Sequence, residues 1–373
     1  MMKQLTIDAI ELYKLSIPLK QPFITSLGAD EVANNLIVKI TTRVGIIGFG
    51  ECSPYMPING ESQETCYIVG QYFAKVLLGK NALDIESCIH LMDKIIYKNT
   101  AVKSAFDMAL YDIAAQAAGQ PLYAFLGGKN DKTIVTDYTV SVGDPAQMVK
   151  EALQIQADGY PAIKVKLGLN GKTDVERMKA IRNAVGPDIP LRIDANQGWE
   201  VAEAIETLQA LAPLHIQHCE EPIARWNFMQ LSTVKNASPI PIMADESCGD
   251  EHDAATLIQL DACQYMNIKL CKSGGLFKAL KIVKLAEAAQ IQLQVGAMLE
   301  SRLAMSAFAH FALCSPAIVH FDFDTALMFR EDPVTGGIQY RENGVITVPE
   351  TPGLGAVIDD ERLSAMEHIT FKN

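Results

Sequence analysis

The chain has little of what nucleic-acid-binding and disulfide-rich proteins carry in excess. Its 32 basic residues are outnumbered by 44 acidic ones, which gives a net charge of -12 and a pI near 5.1. This balance argues against nucleic acid or an anionic membrane surface as the main partner. The eight cysteines form no CxxC pair and show no regular spacing, so we expect reduced thiols in a cytoplasmic protein.

Long hydrophobic runs are also missing. The first residues soon bring charge and lack the apolar core of a signal peptide. The longest nearly apolar run, 303–319, is interrupted by Ser306, His310, Ser315 and Pro316, whereas a membrane-spanning helix needs about 20 apolar residues. We therefore predict a buried helix with a turn here, and no membrane span.

What is present is the composition of a globular protein large enough for more than one domain, with 373 residues of which 49% are hydrophobic. Residues 3–17 and 34–49 resemble strands, the second range forming a hairpin around Gly45, and a loop is expected at 20–28. Residues 62–126 carry helical periodicity. We predict an α+β domain over residues 1–126.

From residue 136 onward, short apolar runs alternate with helical segments. Eight candidate strands are found at 134–141, 162–167, 190–195, 215–220, 240–245, 263–270, 291–298 and 318–324. They recur at a regular interval that is long enough for one strand, one helix and two loops. This repeat is typical of a (β/α) barrel, which we assign to 127–324. No clear helical run follows, so we predict that the last barrel helix is missing and that 325–373 returns to the first domain.

Three acidic residues stand at the ends of consecutive candidate strands: Asp194, Glu220 and Asp245. Barrel enzymes place their chemistry at the C-terminal strand ends, so these carboxylates are expected to converge. Carboxylates at one point repel each other unless a cation lies among them, and hard oxygen ligands favour Mg²⁺. The alternative is three independent capping or ion-pairing acids.

Three lysines flank this cluster. Lys164 and Lys166 lie two apart on the second strand and therefore share a face, and Lys269 ends the sixth strand, on the opposite side of the barrel. Alone, the first two would fit an edge strand with solvated lysines. Beside a metal, burial and neighbouring positive charge are expected to lower the lysine pKa values, which makes lysine a usable base. The chemistry indicated is proton abstraction next to a carboxylate.

The motifs that carry these charges are Lys164-Val165-Lys166, Asp194-Ala195-Asn196-Gln197-Gly198-Trp199, Glu220-Glu221-Pro222, Asp245-Glu246-Ser247 and Lys269-Leu270-Cys271-Lys272-Ser273-Gly274-Gly275. In order and spacing they resemble the muconate-lactonising-enzyme subgroup of the enolase superfamily over nearly the whole chain. The resemblance implies an α/β fold, a modified (β/α)7β TIM barrel with an α+β capping domain built from both termini.

The same resemblance implies the roles of the site residues. Asp194, Glu220 and Asp245 would bind one Mg²⁺ per subunit. Lys166 and Lys269 would be acid/base catalysts on opposite faces of the substrate, and Lys164 would hold the substrate carboxylate. Glu221 is expected to face away from Glu220 and stays outside the metal ligands.

The subgroup includes cycloisomerases, o-succinylbenzoate synthases, N-acylamino acid racemases and dipeptide epimerases. Phe321-Asp322-Phe323-Asp324 places two carboxylates on one face of the eighth strand and resembles the epimerases, in which such a pair receives the substrate ammonium. Anionic substrates would be repelled there. Alternatively Asp322 or Asp324 pairs with Arg302 or Arg330. Thr139 is expected to hydrogen-bond the dipeptide backbone or to be a satisfied core hydroxyl.

Substrate choice in the subgroup is set largely by capping-domain loops, here with Ile24, Thr25 and Tyr55, while Met298 of the seventh strand is expected beside the substrate. Glutamate-preferring epimerases carry an arginine where this chain has Phe23-Ile24-Thr25, although Lys20 could reach in. An apolar pocket does not compensate the desolvation of a carboxylate. We therefore expect Ala-Ala or Ala-hydrophobic dipeptides.

The expected function is thus Mg²⁺-dependent epimerisation of a dipeptide at the α-carbon of its C-terminal residue, by a two-lysine 1,1-proton transfer through an enediolate. The alternatives are an N-acylamino acid racemase or o-succinylbenzoate synthase, and, in another class, an inactive metal-binding scaffold. The expected partners are the small-molecule substrate and further copies of the chain in a homo-oligomer, with no nucleic acid and no membrane.

Overall fold

The computed structural model describes residues 5–373. The strands are β1 (Ile7–Thr25), β2 (Gly28–Thr42), β3 (Ile47–Cys52), β4 (Ile134–Val135), β5 (Tyr138–Val140), β6 (Ile163–Lys166), β7 (Leu191–Asp194), β8 (Ile216–Glu220), β9 (Ile242–Ala244), β10 (Tyr265–Ile268), β11 (Gln292–Val295), β12 (Ile318–Phe321), β13 (Val334–Gly336), β14 (Gln339–Tyr340), β15 (Val345–Thr347), β16 (Ala356–Ile358) and β17 (His368–Lys372). The helices are α1 (Met56–Asn59), α2 (Gln63–Leu77), α3 (Ile85–Ile95), α4 (Thr100–Ala117), α5 (Leu122–Phe125), α6 (Pro145–Ala157), α7 (Gly171–Val185), α8 (Val201–Leu211), α9 (Leu231–Ala237), α10 (Glu251–Gln259), α11 (Leu270–Ser273), α12 (Leu276–Ala288), α13 (Arg302–Ala312) and α14 (Asp360–Ser364).

The N-terminal part is an antiparallel sheet in the order β17-β1-β2-β3, covered by helices. β3 lies directly against α4, and its glycines permit this contact. A Cβ atom at Gly48 would lie 2.1 Å from Ala109 O, and one at Gly50 would lie 1.8 Å from Ala105 O. Any larger residue would push the helix off the sheet.

Helix α4 connects this sheet to the barrel and is buried along nearly its whole length. Its Asp107 accepts hydrogen bonds from Leu276 N (2.5 Å) and Phe277 N (3.2 Å) at the start of α12. The carboxylate thus satisfies two backbone donors that a helix start leaves unpaired. The two halves are therefore joined by a buried polar contact as well as by apolar packing.

The second half contains eight parallel strands in sequential order from β5 to β12. The hydrogen bond from Asp137 N to Phe321 O (3.4 Å) links the two ends of this sheet. A helix follows each of the first seven strands, whereas β12 is followed by the short 3₁₀ turn Thr325–Met328. The predicted (β/α)7β barrel with its missing last helix is confirmed.

The predicted boundaries needed three corrections. The strand expected at 134–141 is divided, since β4 pairs with β15 and only β5 joins the barrel. The strand expected at 318–324 ends at Phe321, after which Phe323 N donates to Thr136 Oγ1 at 2.9 Å. The loop expected at 20–28 is the end of the long β1–β2 hairpin. The first residues of the strand predicted at 3–17 lie outside the described residues.

The C-terminal segment makes three attachments. β13 pairs with β16, β14 and β15 continue from β4 below the barrel, and β17 pairs with β1. The chain thus ends in the sheet in which it began. Among the described residues, no helix is both long enough and apolar enough to cross a membrane.

Candidate active site

The C-terminal ends of the barrel strands bring the predicted charged residues to one place. Asp194 and Glu220 are the last residues of β7 and β8, and Asp245 and Lys269 directly follow β9 and β10. One carboxylate oxygen of each acid lies within 4.8 Å of the other two, and all three acids are fully buried. The neighbouring positions follow from the parallel ladder, in which successive strands end at the same rim.

This cluster fits a divalent cation. All three donors are hard carboxylate oxygens, the type that Mg²⁺ prefers. The two oxygens of Asp245 lie 2.8 Å from Lys269 Nζ and 2.6 Å from Lys272 Nζ, but neither contact has hydrogen-bond geometry. A carboxylate offers about four acceptor sites, so these two lysine contacts leave further lone pairs of Asp245 for a cation.

Crowding separates the pKa values of the three acids. Burial, with the charge of Asp194, raises the pKa of Glu220 to about 7. Burial also opposes ionisation of Asp194 and Asp245, but nearby lysine ammonium groups more than offset it and lower both pKa values. Negative charge at this point is thus favourable only with cations close by.

The three predicted lysines reach the acids from different sides. Lys164 Nζ lies 2.8 Å from both Glu220 and Asp322, and 3.2 Å from Asp194. Lys166 Nζ lies 2.6 Å from Asp194, whereas Lys269 approaches Asp245. Lys166 and Lys269 line the same cavity, so a molecule bound there has a lysine from β6 on one side and one from the end of β10 on the other.

The residues of the chain alone do not lower the pKa values of Lys164 and Lys269, so the predicted lowering depends on the charge of the metal. Burial does lower the pKa of each ammonium group, but the surrounding carboxylates outweigh it and raise both. For Lys269 these are Asp245 and Glu220, and for Lys164 Asp322 is the largest. The carboxylates thus have a larger effect on the lysine pKa values than the sequence indicated.

The sequence analysis missed several groups that position the cluster. Asn267 Nδ2 donates to Glu220 Oε1 at 2.8 Å, and Gln294 Nε2 donates to Glu220 Oε2 at 3.3 Å. Lys272 donates to three backbone carbonyls, including that of Asp245. Asn267 was detectable, because it lies two residues before Lys269 in the strand predicted at 263–270 and is therefore expected to share its face.

Glu221 lies where its predicted orientation places it, away from the triad. Its Oε2 accepts hydrogen bonds from Asp245 N at 2.6 Å, from Ser247 N at 3.2 Å and from the Ser247 hydroxyl at 2.9 Å. It therefore holds the backbone of the loop 245–247. Burial raises its pKa to about 7.

Asp322 and Asp324 lie beyond the end of β12, so the strand alternation used to place them on one face was the wrong argument. Both nevertheless line the cavity. Asp322 contacts Lys164, whereas Asp324 Oδ2 accepts a hydrogen bond from Thr139 N at 2.7 Å. Asp324 Oδ1 has no hydrogen-bond partner among residues 5–373.

Asp324 forms no ion pair with any of the described residues 5–373. Burial, with the charges of Asp322 and Asp137, raises its pKa well above its usual range. The alternative arginine partners are engaged elsewhere, Arg302 with Asp332 and Arg330 with Leu19 O. The position therefore favours a ligand that brings a positive charge.

The cavity above the triad has a volume of about 310 Å³. Thr25, Tyr55, Thr139 and Met298, all predicted to contact substrate, line it. Thr139 lies in the middle of β5 rather than at its end. Lys166 and Lys269 are the only basic residues of the described chain in its lining, which also includes the carboxylates of Asp30, Glu61 and Glu64.

Ile24 does not share this cavity. It lines a second one of about 610 Å³, together with Lys20, whose ammonium donates to Leu327 O at 2.7 Å. Successive residues of an extended hairpin face opposite sides, so Thr25 and Ile24 cannot both face the triad. Ile24 and Lys20 thus line the second cavity and not the first, and the two cavities adjoin at Phe23 and Thr139.

Two of the histidines, to which no catalysis was assigned, lie on barrel strands before the charged rim. His218 and His320 have ring centroids 5.1 Å apart, and burial and the charge of Arg192 lower the pKa values of both. Arg192 also contacts Asp137 at 2.7 Å. This buried network was not detected, because its members come from three separate strands and from the residues before β5.

Known proteins share this architecture. Residues 9–127 match the mandelate racemase/muconate lactonizing enzyme N-terminal domain, and residues 147–362 match the enolase C-terminal domain-like family. The D-Ala-D/L-Ala epimerase of Cytophaga hutchinsonii is 56% identical over 97% of this chain and 99% of that protein. The L-Ala-D/L-Glu epimerase of Bacillus subtilis is 39% identical over 93% of this chain and 96% of that protein.

A solved structure is also similar to this chain over nearly its full length. The dipeptide epimerase from Cytophaga hutchinsonii, complexed with Mg and the dipeptide D-Ala-L-Val, matches with a TM-score of 0.97 and 56% identity over 98% of this chain and 99% of that chain. Both the domain matches and these identities extend over the cap and the barrel, which confirms the resemblance inferred from the motifs. The chain belongs to the mandelate racemase/muconate lactonizing enzyme family of the enolase superfamily.

Proposed function

We propose that this protein is a Mg²⁺-dependent dipeptide epimerase that inverts the α-carbon of the C-terminal residue. The observation that carries the proposal is the buried Asp324 carboxylate, which has an oxygen without a partner and lines the same cavity as the two opposed lysines. A dipeptide has a carboxylate for one end of this cavity and an ammonium for the other. The relative from Cytophaga hutchinsonii, solved with Mg and D-Ala-L-Val, supports this assignment.

Asp194, Glu220 and Asp245 would hold the metal. When bound, Mg²⁺ would supply positive charge that stabilises the charge developing on the substrate carboxylate and lowers the pKa of nearby lysines. Lys166 takes the α-proton from one face, and Lys269 delivers a proton to the other face. Lys164, held between Glu220 and Asp322, orients the substrate carboxylate.

The lining of the cavity supports a small or hydrophobic second residue. Among the described residues, its lining offers a glutamate side chain no cation other than the two catalytic lysines, and the nearby carboxylates of Asp30 and Glu64 repel such a side chain. Thr25 and Tyr55 contribute an apolar and hydroxyl surface instead. We therefore propose Ala-Ala or Ala-hydrophobic dipeptides as substrates.

The alternatives differ in the charge they need. N-acylamino acids and the o-succinylbenzoate synthase substrate bring no ammonium, so Asp324 would remain uncompensated. An inactive scaffold would have no use for two buried lysines facing one cavity. The alternatives are therefore less consistent with the site.

A single panel of reactions distinguishes these functions. The enzyme with Mg²⁺ is incubated in D₂O with dipeptides, N-succinylamino acids and the synthase substrate, and α-deuterium is followed by mass spectrometry. We expect incorporation into Ala-Ala and Ala-Val. Incorporation only into the acylated substrates would favour the racemase, and no incorporation into any substrate would favour the scaffold.

Further proposals concern organisation and location. We propose 1–126 as the capping domain, 127–324 as the barrel and 325–373 as the returning segment, supported by the pairing of β17 with β1. The cytoplasmic location is supported by eight free thiols. A homo-oligomer is supported by the exposed Trp226 and Met229 and is tested by sedimentation velocity.

A further inference from the structure

The tip of the β1–β2 hairpin is a small ladder of its own. Pairing between the two strands is interrupted between Pro18 and Phe23 and resumes in three pairs, which end at Thr25 and Gly28. We call residues 23–30 the flap. Because residues 19–22 do not pair with β2, the position of the flap depends on what its tip contacts.

One hydroxyl joins the flap to the metal side of the cavity. Ser26 Oγ lies 3.0 Å from Ala195 O and 2.9 Å from Asn196 O, and it donates its single proton to these two carbonyls. Both carbonyls belong to the turn 195–198, which directly follows Asp194. A residue of the capping sheet therefore touches the backbone next to a metal ligand.

This turn has a conformation that needs support. Asn196 and Gln197 have φ values of 41° and 71°, in the left-handed region that residues other than glycine seldom adopt. In this conformation Asn196 N donates to Asp194 Oδ1 at 2.9 Å, and Asn196 Nδ2 donates to Glu246 at 3.1 Å. The turn thereby sets the orientation of the Asp194 carboxylate, whose other oxygen contacts Lys166.

A second attachment of the flap leads elsewhere. Ile24 N donates to Ser141 Oγ at 3.2 Å, and Val142 N donates to Ile24 O at 3.1 Å. These partners lie in the loop after β5, on a different part of the barrel rim from the turn 195–198, which follows β7. The flap also carries Phe23, whose ring centroid is 5.7 Å from Lys166 Nζ.

We propose that Ser26 is a positioning residue that couples the placement of the flap beside the cavity to the orientation of Asp194. The proposal rests on the proposed function of the cavity. With the Ser26 hydroxyl in place, the turn is held in its left-handed conformation and the carboxylate is fixed toward the metal and Lys166. Without it, the flap can still attach through Ser141, but the turn loses the donor to Asn196 O.

The test compares three variants. In Ser26→Ala, calorimetric titration with MgCl₂ alone should give about tenfold weaker binding and kcat should fall about tenfold, as expected for the loss of one hydrogen bond. Hydrogen exchange of the segment 194–199 should accelerate. Ser26→Thr keeps the hydroxyl and should restore each quantity to within about threefold of wild type.

Ser141→Ala is the matched control, since it removes a hydroxyl from the other attachment of the same flap. It should raise KM while leaving the Mg²⁺ dissociation constant and exchange in 194–199 at wild-type values. The proposal is overturned if Ser26→Ala binds Mg²⁺ and exchanges as wild type does, or if Ser141→Ala shows the same losses. Failure of the proposed function is seen separately, as absence of epimerisation by the wild-type enzyme.

Discussion

Replacing Asp324 by asparagine tests how the enzyme recognises the substrate ammonium. The substitution preserves the local hydrogen bonding, because the asparagine side chain keeps an oxygen that accepts the Thr139 N–H seen at 2.7 Å in the native protein. What it removes is the negative charge that faces the cavity. The prediction is a loss of dipeptide turnover without a loss of fold.

The size of the effect follows from the burial of the group. Asp324 is 1% exposed, so its contact with an ammonium is shielded from water. A hydrogen bond between charged groups contributes about 1.5–3 kcal/mol. Since about 1.4 kcal/mol corresponds to a factor of ten, kcat/KM for Ala-Ala should fall roughly ten- to a hundredfold.

The assay measures kcat/KM for Ala-Ala and for its N-acetylated form, which has no ammonium. Asp324→Asn should have a lower kcat/KM for the free dipeptide. The ratio of kcat/KM for the free dipeptide to kcat/KM for the acetylated dipeptide should therefore fall. Glu331→Gln, which removes an exposed charge from the same segment, is the control and should behave as wild type. Equal losses on both substrates, or a wild type that processes both equally well, would refute the reasoning.

Three further predictions address the metal, the specificity and the stability. Asp245→Asn should weaken Mg²⁺ binding by more than about a hundredfold and abolish turnover, while its circular dichroism spectrum stays unchanged. Full activity of the wild-type enzyme in EDTA would contradict the metal role. Thr25→Arg should raise kcat/KM for Ala-Glu by about tenfold, whereas Ile24→Arg, which faces the second cavity, should not. Burial lowers the pKa of His310 to about 4, so its stabilising contribution is complete above the unfolded pKa of about 6.5 and is lost as the pH falls toward 4. Relative to His310→Gln, wild type should therefore lose about 3 kcal/mol of unfolding free energy between pH 7 and pH 4 in urea titrations. If the difference in unfolding free energy between the two proteins is the same at both pH values, His310 does not contribute in this way.

The barrel and its charged rim were predictable because they depend on periodicity. Strand, helix and loop recur at a regular interval, and parallel strands end at one rim, so Asp194, Glu220 and Asp245 had to come close together. The same period-two rule would have placed Asn267 beside Lys269. Local sequence therefore carries most of the information about the metal site.

The cap side of the cavity was harder to predict because it depends on register. Prolines and polar residues near the hairpin tip favour a loop, yet the tip continues as paired strands, and this places Ile24 in a different cavity from Thr25. Asp322 and Asp324 reach the cavity after their strand has ended. The contact of Ser26 with the turn 195–198 joins residues about 170 positions apart, which no local pattern indicates.

The central claim is that two lysines act on opposite faces of the same α-carbon, and isotope exchange by single-lysine variants tests it most directly. Lys166→Ala and Lys269→Ala are each incubated in D₂O with Ala-L-Ala and, separately, with Ala-D-Ala, with either configuration at the first residue, and both α-deuterium and configuration are measured. Each variant should fail to epimerise, and each should retain exchange with one isomer only, with opposite isomers for the two variants. Substantial epimerisation by either variant would contradict the two-lysine mechanism.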